Sequence, residues 1–316
     1  MMITDGDAEV GIPGKKDWEV KTRTKNFGCF NYLKKINFVI LAIILWLSGK
    51  DATAQNMKES VIYGSNAAAG KYARINNDNL YYETYGKGEP LILLHGGLSS
   101  IGDFKSIIPV LAKEYKVIAL DTRGYGRSAN NLDSLSYDLI ANDVIKLMDH
   151  LGIQKFRALG FSDGGVVGLI LAGKYASRTL KVVASGANYL VDGIDDVESI
   201  KEGMKLENIK TGEFWTGLKK DYEKLSPQKE KFYHHVQLVR NMWLKDPYIT
   251  LDTLKNIKGD VFLMYGDKDF VKLDHIVKLY SVLECKKQLL VVPGGDHFIL
   301  MSKTEMVAPL IINFLK

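Results

Sequence analysis

Gly160-Phe161-Ser162-Asp163-Gly164-Gly165 is the stretch of this 316-residue chain that decides its fold. It follows an apolar run typical of a buried strand (residues 157–161), and it opens a helical pattern (residues 164–175). A serine with glycines two positions before and after it, at a strand-to-helix turn, is the G-x-S-x-G elbow pattern. Side chains at those flanking positions would clash, because the sharp turn brings them together. The sequence therefore predicts a nucleophilic hydroxyl at Ser162, exposed above the sheet edge.

Asp163 is a second candidate for the nucleophile, since a carboxylate can also attack from such a turn. An elbow centred on Asp163 would place Phe161 and Gly165 at the crowded flanking positions. Phe161 is too bulky for that place, so Ser162 fits better.

A serine nucleophile needs a base, and the base needs an orienting acid. His297 follows a predicted strand over residues 288–292, and Asp269 follows the preceding strand over residues 261–265. The resulting chain order, serine then acid then histidine, is the one that goes with this elbow. Asp269 is the predicted acid and Asp267 the alternative, although Asp267 sits directly after a turn glycine and resembles a local turn-former.

Two backbone N–H groups are expected to hold the oxyanion of a tetrahedral intermediate. One belongs to Asp163, directly after the nucleophile, and the other to Gly97, with Leu98 as the alternative. Both alternatives lie in the loop that follows the predicted strand over residues 91–94. His95, in the same loop, is expected to bond backbone groups and to be structural.

Strand and helix patterns alternate along the rest of the chain and predict a mostly parallel twisted sheet with helices on both faces. The predicted core covers residues 70–186 and 251–316. Residues 187–250 break the rhythm, contain no convincing strand and are rich in aromatic residues, which favours a helical cap insertion over the sheet edge. The remaining predicted strands cover residues 72–76, 80–85, 117–120 and 180–184, and the remaining predicted helices cover residues 103–114, 137–151, 275–283 and 306–315.

These motifs together resemble the α/β-hydrolase family. The resemblance is carried by the loop at His95, the pattern Asp121-x-Arg123-Gly124-x-Gly126-x-Ser128, the elbow, Gly266-x-x-Asp269 and His297. It spans about residues 70–316 and implies the α/β-hydrolase fold and serine hydrolase chemistry, without specifying a substrate. The elbow itself is similar to that of valacyclovir hydrolase-like enzymes, which cleave amino-acid esters.

The resemblance to that subgroup implies that the residue after the serine, here Asp163, contacts a substrate amine. A carboxylate 6 Å from a growing oxyanion repels it by about 3 kcal/mol at an effective dielectric of about 20, and a bound ammonium would cancel this repulsion. In the alternative, Asp163 turns away and acts as an acidic residue at the helix start. Leu98, Trp215 and Trp243 are further predicted substrate contacts.

Composition excludes several classes of protein. A net charge of +5, from 42 basic and 37 acidic residues, provides no nucleic-acid footprint. Cys29 and Cys285 are too few for a disulfide framework or a four-cysteine metal site. The basic, glycine-rich loop Arg123-Gly124-Tyr125-Gly126-Arg127 lacks the phosphate-binding P-loop pattern and indicates a structural loop. No cofactor or metal is implied, and the expected partner is a small-molecule substrate.

Residues 1–54 are predicted to be an N-terminal extension followed by a signal peptide. Lys34 and Lys35 precede a ten-residue apolar run over residues 38–47, which is too short to span a membrane as a helix. Ala52-Thr53-Ala54 supplies a small-residue cleavage pattern, so cleavage is predicted after Ala54. This favours an exported protein, periplasmic or secreted, with no stable membrane partner. In the alternative, an uncleaved N-terminal helix anchors the chain.

The sequence thus predicts a serine hydrolase that cleaves a small-molecule ester, or an amide or other acyl bond, through Ser162, Asp269 and His297. An aminopeptidase and a hydrolase of activated C–C bonds are alternatives on the same scaffold. A ligand-binding or receptor protein with slow turnover is an alternative of another class, which stalled covalent adducts would reveal.

Overall fold

A computed structural model of the chain describes residues 61–245 and 249–316. Its strands are β1 (Gly70–Ile75), β2 (Asp78–Tyr85), β3 (Glu89–Leu94), β4 (Tyr115–Leu120), β5 (Phe156–Phe161), β6 (Thr179–Ser185), β7 (Asp260–Gly266) and β8 (Lys287–Val292). They form one sheet in the order β1-β2-β4-β3-β5-β6-β7-β8. Only the pairs β1–β2 and β2–β4 are antiparallel, and every other pair is parallel. The predicted fold class is confirmed.

The helices of the described residues mostly connect these strands. Ser136 caps one of them through a hydrogen bond from the Leu139 N–H to its hydroxyl (3.2 Å), and Gly152, with φ +68°, follows its end. The helices are α1 (Ile108–Leu111), α2 (Tyr137–His150), α3 (Asp163–Lys174), α4 (Val197–Gly203), α5 (Leu206–Thr211), α6 (Glu213–Leu225), α7 (Phe232–Lys245), α8 (Leu251–Lys255), α9 (Leu273–Val282), α10 (Ile299–Ser302) and α11 (Thr304–Leu315).

The continuous helix predicted over residues 103–114 is wrong. The structure has a single 3₁₀ turn, Ile101–Phe104, and then the short helix α1. Pro109 explains the break, because proline has no N–H to donate to the preceding turn and is tolerated only in the first turn of a helix. The periodic apolar side chains of the segment are nevertheless buried, among them Phe104, Ile108 and Leu111.

The central strands are buried on both faces, as a parallel sheet between two helical layers requires. In β3, Ile92 and Leu94 belong to the apolar cluster that contains α2 and α3, whereas Leu91 and Leu93 belong to the cluster that contains α1 and α11. All four side chains are fully buried. β3 and β5 are neighbours at the centre of the sheet, so the loops that follow them start side by side.

Helices α4 to α7, which we call the cap, connect β6 to the described residues before β7. A single isolated bridge, Ile194 to Val271, joins the start of this region to the loop after β7. Side chains from the cap and from the loops at the carboxyl ends of β3, β5 and β8 line one common cavity. These helices therefore share a cavity with loops at the carboxyl ends of the strands, the sheet edge at which open α/β sheets bind ligands.

The basic loop after β4 is held by a buried ion-pair cluster. Arg123 is fully buried and pairs with Asp78 of β2 and with Asp143 of α2 (Nη2 to Oδ1, 2.7 Å). Gly126, with φ +51°, packs directly on the Asp121 carboxylate, where a Cβ atom would lie 2.2 Å from Oδ2. The contacts of this loop are thus those of a structural element.

No helix of residues 61–245 and 249–316 is long and apolar enough to cross a membrane. The predicted signal peptide, residues 1–54, lies outside the described residues and stays a prediction.

His235 of α7 is a buried histidine at the contact between the cap and the core. Its ring packs edge-to-face on Tyr125 (centroids 4.5 Å apart) and stacks on Tyr222 (5.7 Å). Its Nε2 atom has no hydrogen-bond partner among the described residues. Burial lowers the pKa of His235 to about 3, and the neighbouring imidazoles of His234 and His95 add to the shift.

We compare the free energy of unfolding of the natural protein with that of the variant His235→Phe. The difference between them, natural protein minus variant, is expected to fall as the pH drops from 6.5 towards 3. The unfolded imidazole takes up a proton near pH 6.5, whereas the folded one stays neutral, so the proton stabilises the unfolded chain. The difference in free energy of unfolding should fall by up to about 1.4 kcal/mol per pH unit. Urea unfolding of both proteins at pH 7, 6 and 5 measures this difference. The other titrating groups are common to both proteins, so their contributions cancel. A pH-independent difference would contradict the prediction.

Candidate active site

Ser162 lies at a strained turn between β5 and α3. Its backbone has φ +52° and ψ −119°, a conformation that non-glycine residues rarely adopt. A Cβ atom on Gly160 would lie 2.0 Å from the carbonyl oxygen of Gly164, and one on Gly164 would lie 1.9 Å from that of Leu94. These distances show directly why the sequence needs glycine at both flanking positions.

Asp269 and His297 form a buried hydrogen-bonded pair. His297 Nδ1 lies 2.8 Å from Asp269 Oδ1, and the two side chains are 6% and 1% exposed. The Val271 N–H also donates to this carboxylate oxygen, at 3.0 Å. Because the carboxylate accepts from Nδ1–H, the other ring nitrogen, Nε2, is left as the basic one. Asp267, the alternative acid, is exposed, and His297 pairs with Asp269 instead.

Ser162 and His297 line the same cavity. Three aromatic rings surround the imidazole: Phe161, Phe270 and Phe298 lie with centroids 5.0, 4.0 and 5.6 Å from it. Its Nε2 atom is buried and has no hydrogen-bond partner among the described residues. The histidine is therefore preorganised by the acid and the aromatic rings, with its basic nitrogen available.

The two predicted oxyanion donors lie on neighbouring elements. Gly97 is in the loop after β3, and Asp163 is the first residue of α3, where N–H groups lack helical partners. A Cβ atom on Gly97 would lie 2.4 Å from Trp243 Cζ2 and 2.5 Å from Asp163 Oδ2. Leu98, the alternative donor, has φ +56° and lines the same cavity.

The Asp163 carboxylate accepts hydrogen bonds from two neutral donors. The Tyr137 hydroxyl donates to Oδ1 (2.8 Å), and the Trp243 indole N–H donates to Oδ1 (3.1 Å) and Oδ2 (2.9 Å). Burial raises the pKa of Asp163, while both donors and the positive charge of a protonated His297 oppose the rise. The carboxylate thus lies between residues that line the cavity, rather than turned away from it.

The cavity has a volume of about 270 Å³ and a mainly apolar wall. Leu98, Trp215 and Trp243, the predicted substrate contacts, all line it. Its lining includes four aspartates and, among the described residues, neither lysine nor arginine. The aspartates are Asp103, Asp163, Asp195 and Asp196, and cap side chains of the apolar wall include Val197, Ile200, Met204, Phe214 and Leu218.

Sequence reasoning missed Tyr137 and Phe270 as parts of this site. Tyr137 reads only as the first residue after the Ser136 cap, and its contact with Asp163 depends on how α2 packs beside α3. Phe270 directly follows the acid Asp269, which was the one available signal. Its ring packs against His297 and lines the cavity.

Comparisons with known proteins agree with the fold. A family model described as alpha/beta hydrolase fold matches residues 89–208. The chain is 26% identical over 277 residues to a putative non-heme chloroperoxidase of Synechocystis sp., covering 78% of this chain and 99% of that protein. It is 28% identical over 221 residues to the serine hydrolase BPHL of Homo sapiens, covering 66% and 72%.

A solved structure, 2-hydroxy-6-oxo-6-phenylhexa-2,4-dienoate hydrolase from Rhodococcus sp. strain RHA1, superimposes with a TM-score of 0.65 at 21% identity. The superposition covers 78% of this chain and 98% of that one. The fold and the relatives together define a hydrolase. These similarities confirm the resemblance of its motifs to the α/β-hydrolase family.

Proposed function

We propose that the protein is a serine hydrolase that cleaves carboxylic esters of small molecules through an acyl-enzyme. The observation that carries the proposal is the buried Asp269–His297 pair, which opens on the same cavity as Ser162 at its elbow. The test is Ser162-dependent turnover of short p-nitrophenyl esters.

In the proposed mechanism, His297 Nε2 takes the proton of the Ser162 hydroxyl while Oγ attacks the ester carbonyl carbon. The carbonyl oxygen becomes an oxyanion that accepts from the N–H groups of Gly97 and Asp163. Collapse breaks the bond to the alcohol oxygen, which takes the proton from His297. Water then attacks the acyl-enzyme by the same route and releases the acid. Asp269 holds the imidazole in the required tautomer and stabilises its cation.

The charges of the cavity favour uncharged or cationic substrates with a bulky apolar group. Four carboxylates and no lysine or arginine line its described part, and its wall is mainly apolar. A substrate carboxylate would find no cationic side chain there, which disfavours anionic dienoates such as the one in the name of the Rhodococcus relative. Because Asp163 lies at the nucleophile, an α-amino acyl group is the cationic group that fits best.

We expect an α-amino-acyl ester to be cleaved at least about tenfold faster, as kcat/KM at pH 7.5, than its deaminated analogue with the same alcohol. The ammonium would cancel the repulsion between the Asp163 carboxylate and the oxyanion, which is worth about 3 kcal/mol. Asp163→Asn should remove this preference, because the neutral ester no longer meets the repulsion and is cleaved faster, whereas the amino ester loses the partner of its ammonium group. Asp195→Asn, which alters an exposed aspartate of the cavity, should change the ratio less than about threefold, because solvent screens its charge. Equal rates for the two esters in the natural protein would contradict amine recognition.

We propose further that the protein acts after export, with residues 1–54 removed. The support is the order of basic residues, short apolar run and Ala52-Thr53-Ala54 in the sequence. N-terminal sequencing of protein recovered from the periplasm or the medium tests this. A first residue of Gln55 is expected, and an intact N-terminus in the membrane fraction would favour the anchored alternative.

A further inference from the structure

The indole of Trp243 contacts both residues whose N–H groups we assign to the oxyanion hole. Its N–H donates to the Asp163 carboxylate, and its six-membered ring lies against the Cα of Gly97, in space that a Cβ atom would fill. Trp243 belongs to the cap helix α7, whereas Gly97 and Asp163 belong to core elements after β3 and β5. The side chain of Trp243 therefore contacts both residues that are assigned as oxyanion donors.

The negative charge of Asp163 lies close to the proposed oxyanion hole, and the hydrogen bond from Trp243 reduces its effect. The carboxylate belongs to the same residue as one oxyanion donor, and a negative charge near the hole opposes oxyanion formation. Positive ends of fixed dipoles pointing at the carboxylate offset its field and hold its position. The only two side chains that donate to it among the described hydrogen bonds are Tyr137, from the core, and Trp243, from the cap.

We infer that Trp243 is a positioning residue of the oxyanion hole, whose indole N–H restrains the Asp163 carboxylate while its ring seats the Gly97 loop. This inference rests on the proposed function and extends it, because it makes assembly of the hole depend on the docked cap. Trp243 was predicted from the sequence as a substrate contact. The inferred role differs, since it acts on the turnover step through Asp163 and Gly97.

The test is the variant Trp243→Phe, which keeps a ring against Gly97 and removes the N–H. For a neutral p-nitrophenyl ester, we expect kcat to fall about 10- to 100-fold, as for a lost hydrogen bond to a charged group. KM should change less than about threefold, whereas a residue that only forms the pocket wall would chiefly alter KM. Tyr233→Phe, on the same cap helix but outside the cavity, is the matched control and should leave both constants unchanged.

The decisive comparison repeats Trp243→Phe in an Asp163→Asn background. A neutral amide needs no restraint of charge, so the same substitution should there lower kcat less than about fivefold. Equal losses in the two backgrounds would overturn the inference. If Trp243→Phe shows no cooperative thermal unfolding, Tyr137→Phe replaces it, and additivity of Tyr137→Phe with Asp163→Asn would likewise overturn the restraint of the carboxylate.

A second measurement separates this inference from the proposed function. A neutral fluorophosphonate labels an activated serine and places its phosphoryl oxygen in the oxyanion hole, so its labelling rate needs no ester substrate. Trp243→Phe should label more slowly than the natural protein, and adding Asp163→Asn should restore the labelling rate. This outcome supports the inference even when no ester is turned over. The absence of ester turnover would then contradict only the proposed function. The converse outcome is ester turnover that depends on Ser162 while the effects of Trp243→Phe and Asp163→Asn on kcat are additive. That outcome contradicts only the role inferred for Trp243.

Discussion

Replacement of Ser162 by alanine is expected to lower kcat for p-nitrophenyl esters by about 10⁴- to 10⁶-fold, the loss typical of a removed serine nucleophile. The elbow places this hydroxyl at the carboxyl end of β5, on the cavity that His297 also lines. Stability should be nearly unchanged, since alanine meets the same backbone strain at φ +52°. Steady-state turnover and urea unfolding of the purified variant measure both effects.

Ser185→Ala is the matched control for this substitution. Ser185 lies at the end of the neighbouring strand β6, and its backbone carbonyl accepts from the Ser162 N–H at 2.7 Å. Its own hydroxyl is buried without a partner among the described residues. Turnover should therefore change less than about threefold, as for a substitution that removes no catalytic group. Substantial activity in Ser162→Ala would contradict the elbow assignment, and a stalled covalent adduct in the natural protein would favour the receptor alternative.

Asp269→Asn is expected to lower kcat by about 10⁴-fold with little effect on KM. An asparagine in this place can donate a hydrogen bond to Nδ1, which favours the wrong imidazole tautomer and takes the basic position away from Nε2. It also removes the charge that stabilises the imidazolium. The 2.8 Å contact and the burial of both side chains make this loss large, because solvent screens the pair little.

Asp267→Asn provides the contrast, since it makes the same chemical change two residues away. Asp267 is exposed, so its replacement should alter kcat less than about threefold. Measuring kcat for both variants between pH 6 and 9 decides between the two acids named from the sequence. A larger loss in Asp267→Asn than in Asp269→Asn would reverse the assignment.

The elbow was predictable from sequence because its constraint is local. Gly160 and Gly164 are needed by contacts within a few residues of Ser162 and with the adjacent strand β3, and any chain that makes this turn meets them. The pairing of Asp269 with His297 was predictable from their order, since each follows the end of a strand in a parallel sheet whose carboxyl ends share one edge. In the structure, Asp269 and Asp267 differ in burial. The sequence does not show which of two aspartates in the same turn is the buried one.

The environment of Asp163 was beyond sequence reasoning for a different reason. Its donors come from α2 and α7, 26 residues before and 80 residues after it in the chain. Their meeting depends on how two helices pack, and helix packing permits several angles and registers for one apolar pattern. The prediction of a continuous helix over residues 103–114 failed for the opposite reason. The sequence did contain the local signal, Pro109, but the prediction relied on the helical spacing of the apolar residues instead.

The position of β8 at the edge of the sheet has a consequence for the newborn protein. His297 follows this last strand, 135 residues after Ser162. At ribosomal rates of roughly 5 to 20 residues per second, that stretch takes about 7 to 27 seconds to emerge. During this interval a nascent chain can already form the elbow on β5, yet it lacks His297, the base of the proposed mechanism. In the proposed mechanism the nucleophile therefore forms before its base is made. A chain cut short before β8 is expected to carry the serine turn without the proposed base.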